Sequence, residues 1–213
     1  VNCRQKDYSK LIQLIQSTQL LKENKQIKTN FSHNFQDNED YCGQQIIKMS
    51  ADCFSDADYI CYTDSDTIYS GEFDLKEEFI DNSNKINLFV DTWNNVGDAN
   101  CWKICLINLG LLTEYEFMRR LPIIMPSFVL KEIRKAIEIK TNKDFITGCL
   151  DLFKKGGISE FNIMSSYFYI KYNNKCNIIH INQANKLPII QLWSHNDKTK
   201  LLNIIHDCLG ICD

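Results

Sequence analysis

Two carboxylates one residue apart carry the clearest chemistry in the chain: Asp64 and Asp66, in Tyr59-Ile60-Cys61-Tyr62-Thr63-Asp64-Ser65-Asp66-Thr67-Ile68-Tyr69. In extended backbone, residues i and i+2 point the same way, so both acids can address one hard divalent cation and a diphosphate bound to it. The same Asp-Ser-Asp also reads as a polar turn closing a buried strand, because Asp and Ser favour turns. An EF-hand is excluded. Counted from Asp64, the loop positions that require Asp or Asn, Gly and Glu hold Ile68, Tyr69 and Leu75.

The elements that must position these acids alternate between helix and strand patterns, which predicts an α/β fold. A helix is predicted over residues 7–23 from Leu11, Ile12, Leu14, Ile15, Leu20 and Leu21, and a short strand over Lys28 to Phe35. Asn38-Glu39-Asp40 opens a second amphipathic segment, Gln44 to Phe54, with Ile46, Ile47 and Met49 as its core contacts. Asp58 to Tyr62 is the strand that ends at the carboxylates. A short helix over Phe73 to Ile80 precedes a strand, Ile86 to Val90, that again ends in an acid and an aromatic, Asp91-Thr92-Trp93. Beyond Gly97 the pattern is less regular: Cys101 to Leu112 is apolar throughout, and Pro122 and Pro126 bracket Ile123-Ile124-Met125 as loop-like punctuation. Helices follow over Ser127 to Lys140, with Phe128, Ile133, Ala136 and Ile137 as the apolar side, then over Phe145 to Lys154 and Phe161 to Tyr172. Strands over Ile178 to Ile181 and Pro188 to Trp193 and a helix over Lys198 to Leu209 complete the pattern.

The 213 residues, 44% hydrophobic and 24% charged, suffice for one substantial core, and no linker divides them. A net charge of -3 and a pI near 5.8 give no electrostatic footprint for nucleic acid. No apolar run reaches the length needed to span a bilayer, about 18 residues. Direct nucleic-acid binding and membrane insertion are therefore not expected. Val1 to Lys6 lacks an apolar signal-peptide core, so a cytoplasmic setting is expected. The ten cysteines include no CxxC pair. Cys101/Cys105 and Cys208/Cys212 are i,i+4 pairs without a histidine pair to complete a metal site, and Cys53, Cys61, Cys149 and Cys176 read as buried free thiols.

A phosphatase of the haloacid dehalogenase type also sets Asp-x-Asp after an apolar strand, with the first Asp as nucleophile. Such a motif usually lies near the chain start with Thr two residues past the second Asp, whereas here that position is Ile68. The ordered set of motifs instead resembles the GT-A glycosyltransferases, and among them the small GT-A domains that build the glycan of the chlorovirus major capsid protein. The resemblance covers most of the chain. It rests on Tyr41-Cys42-Gly43-Gln44-Gln45-Ile46-Ile47-Lys48 ahead of Ala57 to Asp66, on Phe117-Met118-Arg119-Arg120-Leu121-Pro122 with Pro126, on Ser159-Glu160-Phe161 and on Trp193-Ser194-His195. One departure is that Val1-Asn2-Cys3 is shorter than the opening strand of most GT-A chains.

The resemblance implies a single domain with a Rossmann-like central mixed β-sheet flanked by helices. Its nucleotide-binding half, about residues 1–95, carries the Asp-x-Asp, and the acceptor half spans about 96–213. It implies a UDP-sugar donor, UDP-glucose- or UDP-rhamnose-like, and Mn²⁺ or Mg²⁺ held by Asp64, Asp66 and His195. The ion stabilises the leaving diphosphate as a Lewis acid. Arg4, Asp7, Gln45 and Lys48 are candidates for the nucleotide face beside Asp64 and Asp66, and each also reads as an exposed polar residue. Glu160 and Asp91 are the candidate catalytic carboxylates, although Glu160 after Ser159 also fits a helix N-terminus. Trp93, Arg119 and Arg120 are candidates for the sugar or acceptor pocket. The acceptor implied is a hydroxyl of a growing glycan on a viral capsid glycoprotein, in the host cytoplasm, with a retaining outcome and further catalytic domains in a longer native chain. The alternatives are a metal-dependent phosphatase or nucleotidyltransferase and a non-catalytic nucleotide-sugar-binding module.

Overall fold

A computed structural model of the chain describes residues 2–3, 30–31, 40–64, 67–69, 71, 73–97, 100–119, 121–184, 187 and 189–191. The helices predicted over 7–23 and Lys198 to Leu209 lie outside the described residues. Within them, helices and strands alternate as the apolar periodicities imply. Among the described residues the strands form four small sheets, three of two strands and one of three. β1 (Asn2–Cys3) runs parallel to β2 (Asn30–Phe31). After helix α1 (Asp40–Lys48), β3 (Tyr59–Tyr62) leads to the carboxylate segment, and β4 (Thr67–Tyr69) leaves it. The short helix α2 (Leu75–Phe79) precedes β5 (Ile86–Thr92).

Two segments differ from the sequence reading. The apolar stretch after Gly97 is a helix, α3 (Asn100–Leu109), and β6 (Tyr115–Glu116) follows it. The segment between the two prolines is not a loop but a strand, β7 (Ile123–Pro126), buried along its whole length. It pairs antiparallel with β3, from Tyr59↔Pro126 to Tyr62↔Ile123. Pro126 stands at the last position of the strand and Pro122 just before the first. Neither removes a donor from the interior of the ladder.

Helices α4 (Ser127–Thr141), α5 (Phe145–Lys154) and α6 (Glu160–Lys171) follow, then β8 (Cys176–His180) and β9 (Ile189–Gln191). β5 pairs parallel with β8, Ile86↔Cys176 through Val90↔His180, and antiparallel with β6 on its other edge, Asp91↔Glu116 and Thr92↔Tyr115. β4 pairs antiparallel with β9. Each helix buries the stripe that its spacing sets out. In α4 the buried side chains are Val129, Leu130, Ile133 and Ile137, while Phe128 is exposed, contrary to expectation. Asn142 ends that helix in the left-handed conformation that Asn tolerates. Asp144 caps α5 by accepting from Thr147 N at 3.0 Å.

Helix α6 is the exception to amphipathicity: every residue from Glu160 to Phe168 is buried. A helix enclosed on all sides belongs to the middle of the core. Its polar first turn, Ser159, Glu160 and Asn162, is therefore carried inside, where each polar group needs a partner. Around α6 one contiguous core joins Cys42, Ile46 and Met49 of α1 to Ile86, Leu88 and Val90 of β5, Met125 of β7 and the buried faces of α3, α4 and α5. Cys149 and Cys176 are buried as expected, whereas Cys53 and Cys61 are exposed. Among the described residues no helix is long and apolar enough to cross a membrane.

Candidate functional site

Helical spacing sets Tyr41, Gln45 and Lys48 on one face of α1, at i, i+4 and i+7. Strand β3 delivers its last side chain, Tyr62, inward. The Tyr62 hydroxyl donates to the Lys48 carbonyl at 3.0 Å, and its ring meets the edge of Phe161 at 6.0 Å between centroids. That contact fixes the end of β3 against the last turn of α1. Asp64, two residues further on, then lies over Lys48.

The Lys48 ammonium sits between two carboxylates that are distant in sequence. Its Nζ donates to Asp64 Oδ1 at 2.7 Å and to Glu160 Oε1 at 2.8 Å, and it stands 4.4 Å from the centre of the Phe161 ring. All three polar side chains are largely enclosed, with 16%, 19% and 6% of Lys48, Asp64 and Glu160 exposed. One ammonium cannot neutralise two carboxylates, and the excess negative charge is resolved at the more buried acid. Burial raises the Glu160 carboxyl above the ordinary glutamate range, and the attraction of Lys48 offsets only part of that rise. For Lys48 burial acts to lower the pKa, but the charges of Glu160 and Asp64 outweigh it and hold the ammonium above the ordinary lysine value. Lys48 is thus firmly charged, and Glu160 is the group able to exchange a proton.

Tyr41 and Gln45 continue the same face. The Tyr41 phenol is raised by burial and by Glu160. Gln45 is fully buried with its amide against that phenol, yet neither amide atom makes a well-aligned hydrogen bond. Arg4, Asp7, Asp66, Arg120 and His195 lie outside the described residues. Among the described residues no group of three or more His, Cys, Asp or Glu is arranged to hold a metal ion.

The other candidates, Asp91, Trp93 and Arg119, belong to a second group of contacts around the ends of β5 and β6. Asp91 ends β5 with Oδ1 accepting from Asn95 Nδ2 and from Thr92 N, each at 2.7 Å. The Asn95 bond, then that from Thr92 N and the charges of Arg119 and His180, hold its carboxyl below the usual range. Arg119 forms a close ion pair through Nε with Oε2 of the fully buried Glu116, although its alignment is not that of a good hydrogen bond. Glu116 Oε1 accepts from Asn162 Nδ2 at 2.7 Å and from Met118 N at 3.0 Å. Asn162 in turn accepts from Phe117 N at 2.8 Å and donates to Ser159 Oγ at 3.0 Å. Trp93 is half-buried, its indole donates to the Thr113 carbonyl at 2.9 Å, and Lys103 lies over its ring.

The structure therefore brings Lys48, Asp64 and Glu160 to one point, with Gln45 one turn away, and separately groups Asp91 with Arg119. Glu116, Asn162, Tyr115 and His180 escaped the sequence reading. A buried acid on a two-residue strand and an Asn inside an aromatic helix carry no periodic signal. Comparison with family models, with curated proteins and with solved structures finds no match for this chain.

Proposed function

We propose that the chain is a metal-dependent glycosyltransferase that moves a sugar from a UDP-sugar to a hydroxyl of a growing glycan. The observation that carries this reading is the Asp64–Lys48–Glu160 bridge: three polar side chains from a helix, a strand end and a second helix meet in a largely enclosed place. Burying that much charge costs stability, and groups with proton affinities shifted by burial and a specific charged partner cluster at functional sites. The Asp64 carboxylate also supports the metal requirement. It repels a diphosphate placed beside it, and a divalent cation between the two would offset that repulsion. Carboxylate oxygens are suitable ligands for Mn²⁺ or Mg²⁺, and Asp64 with Asp66 would hold the ion, which supplies Lewis acidity toward the leaving diphosphate. The donor sugar class, UDP-glucose- or UDP-rhamnose-like, and the retaining outcome rest on the resemblance of the motifs.

In this reading Asp64 orients the donor, Lys48 stays protonated and balances charge on the diphosphate side, and Glu160 is the catalytic carboxyl on the sugar side. Its raised proton affinity suits it to hold a proton in one step and release it in another. Asp91, stabilised as the anion by Asn95 and Thr92, is less suited to proton exchange. The same Lys48–Asp64 pair favours one second reading, a phosphatase with Asp64 as nucleophile and Lys48 beside the transferred phosphoryl group.

The discriminating experiment offers the protein a panel of UDP-sugars and, separately, p-nitrophenyl phosphate, with Mn²⁺ or EDTA, and measures UDP and nitrophenol release. The expected result is Mn²⁺-dependent UDP release that falls about a hundredfold in Glu160→Gln. Release of nitrophenol without UDP release favours the phosphatase instead.

A further inference from the structure

β5 and β8 run parallel, with Val90 opposite His180 at the end of β8 and β5 continuing to Thr92, and in parallel sheets the crevice beyond the carboxyl ends of the strands is where ligands bind. Here that end carries an unusual set of side chains. Tyr115, from the neighbouring β6, meets His180 edge to face at 5.9 Å and Tyr169 at 5.6 Å. All three rings are partly exposed. Asp91 and Arg119 border them and act electrostatically on one another. Arg119 does not float on the surface, because the buried Glu116, itself held by Asn162 and Met118 N, anchors its Nε, and 25% of the side chain stays exposed. A rigid carboxylate, a rigid guanidinium and aromatic walls supply acceptors, donors and apolar faces side by side, which is the complement of a sugar ring with its hydroxyls and C–H faces.

The charge balance narrows the class. Among the described residues, Glu116 matches Arg119, while Asp91 and the exposed Glu114, whose charge acts on Tyr169, add two carboxylates. An anionic ligand is disfavoured by this excess, and an uncharged polyol is not. The rim is also tied to the catalytic carboxyl: Asn162, which holds Glu116, and Glu160 belong to the same first turn of α6.

We propose that the rim formed by Asp91, Tyr115, Arg119 and His180 is the subsite for an uncharged pyranose of the acceptor glycan. Glu116 and Asn162 are positioning residues that hold the rim in register with Glu160. The inference rests on the glycosyl-transfer reading and extends it by naming the acceptor residues and the acceptor's charge class.

The test is saturation-transfer NMR with methyl glycosides of glucose, galactose, mannose and rhamnose, with methyl glucuronide as the charged control, on the whole chain and on its His180→Ala and Asp91→Asn variants. UDP titration with Mn²⁺ is run on the same wild-type and His180→Ala samples. The subsite requires that at least one neutral glycoside binds and that each variant weakens it about tenfold. Glucuronide should bind less well than glucoside, and UDP affinity should be the same in His180→Ala. No transfer to any neutral glycoside, unchanged binding in both variants, or preference for glucuronide overturns the subsite. UDP binding that persists in those cases confines the failure to the acceptor side, whereas absence of UDP binding to the wild type overturns the donor reading itself.

Discussion

Glu160 illustrates at the scale of one residue how function and stability oppose each other. Its folded carboxyl has a pKa above the ordinary value of 4.5, first because it is buried and only then moderated by Lys48. The folded state therefore binds this proton more tightly than the unfolded chain does. The stability this contributes is fully present below pH 4.5 and is lost as pH rises through the folded value. Gln cannot ionise, so the Glu160→Gln variant lacks that loss. Urea unfolding of both proteins from pH 4 to 8 is expected to show the wild type losing ground to the variant as pH rises; parallel curves would contradict the assignment. The site was partly legible in sequence. Lys48, Asp64 and Glu160 are each candidates there, the first two for a nucleotide or metal and Glu160 for catalysis, but none is expected to bond to another. Their bonding to one another depends on Tyr62 reaching back to the Lys48 carbonyl, a contact between residues 14 apart that no spacing rule encodes.

Secondary-structure elements were read most accurately where a periodic stripe meets a recognisable cap. The helix over Phe145 to Lys154 has the bounds its spacing predicts, with Asp144 as its cap in the structure, and the strand predicted over Ile86 to Val90 continues to Thr92. Failures came where the stripe or the punctuation misleads. Helix α3 is apolar on nearly all sides and leaves Ile104 and Ile107 exposed, and prolines flank a strand whose interior they do not touch. The α4–α5 packing offers a test at this scale. A Cβ added at Gly148 would lie 2.6 Å from Thr141 Oγ1 and 3.2 Å from Ile137 Cγ2. Thr141 Oγ1 is engaged with the Ile137 carbonyl at 2.7 Å, so moving it breaks a bond, and Ile137 is buried. Replacing Gly by Ala favours the helix by up to about 1 kcal/mol, against an overpacking cost of about 1–3 kcal/mol. Gly148→Ala is therefore expected to be destabilised by about 1 kcal/mol in urea unfolding, and Thr141→Ala in the same chain to restore much of it. A stabilised single variant would show that the helices separate freely.

For the whole molecule, the arrangement is two polar poles flanking the buried first turn of α6. On one side Asp64, Lys48 and Glu160 meet; on the other Glu116 anchors Arg119 beside Asp91. Among the described residues both poles hold more acidic than basic side chains, and the chain has a net charge of -3. In the proposed function this balance would call for a cation beside the diphosphate and would favour a neutral sugar as acceptor. Composition and periodicity revealed the mixed helix and strand content. They did not reveal that one enclosed helix presents both poles, because its buried polar turn is understandable only from the packing around it. The most direct test is calorimetric titration of UDP into the whole chain with Mn²⁺, with EDTA, and with Mn²⁺ into Asp64→Asn. UDP binding with Mn²⁺ that EDTA abolishes and Asp64→Asn weakens at least about tenfold is the result predicted. Binding indifferent to EDTA and to Asp64, or no binding in any condition, would contradict the account.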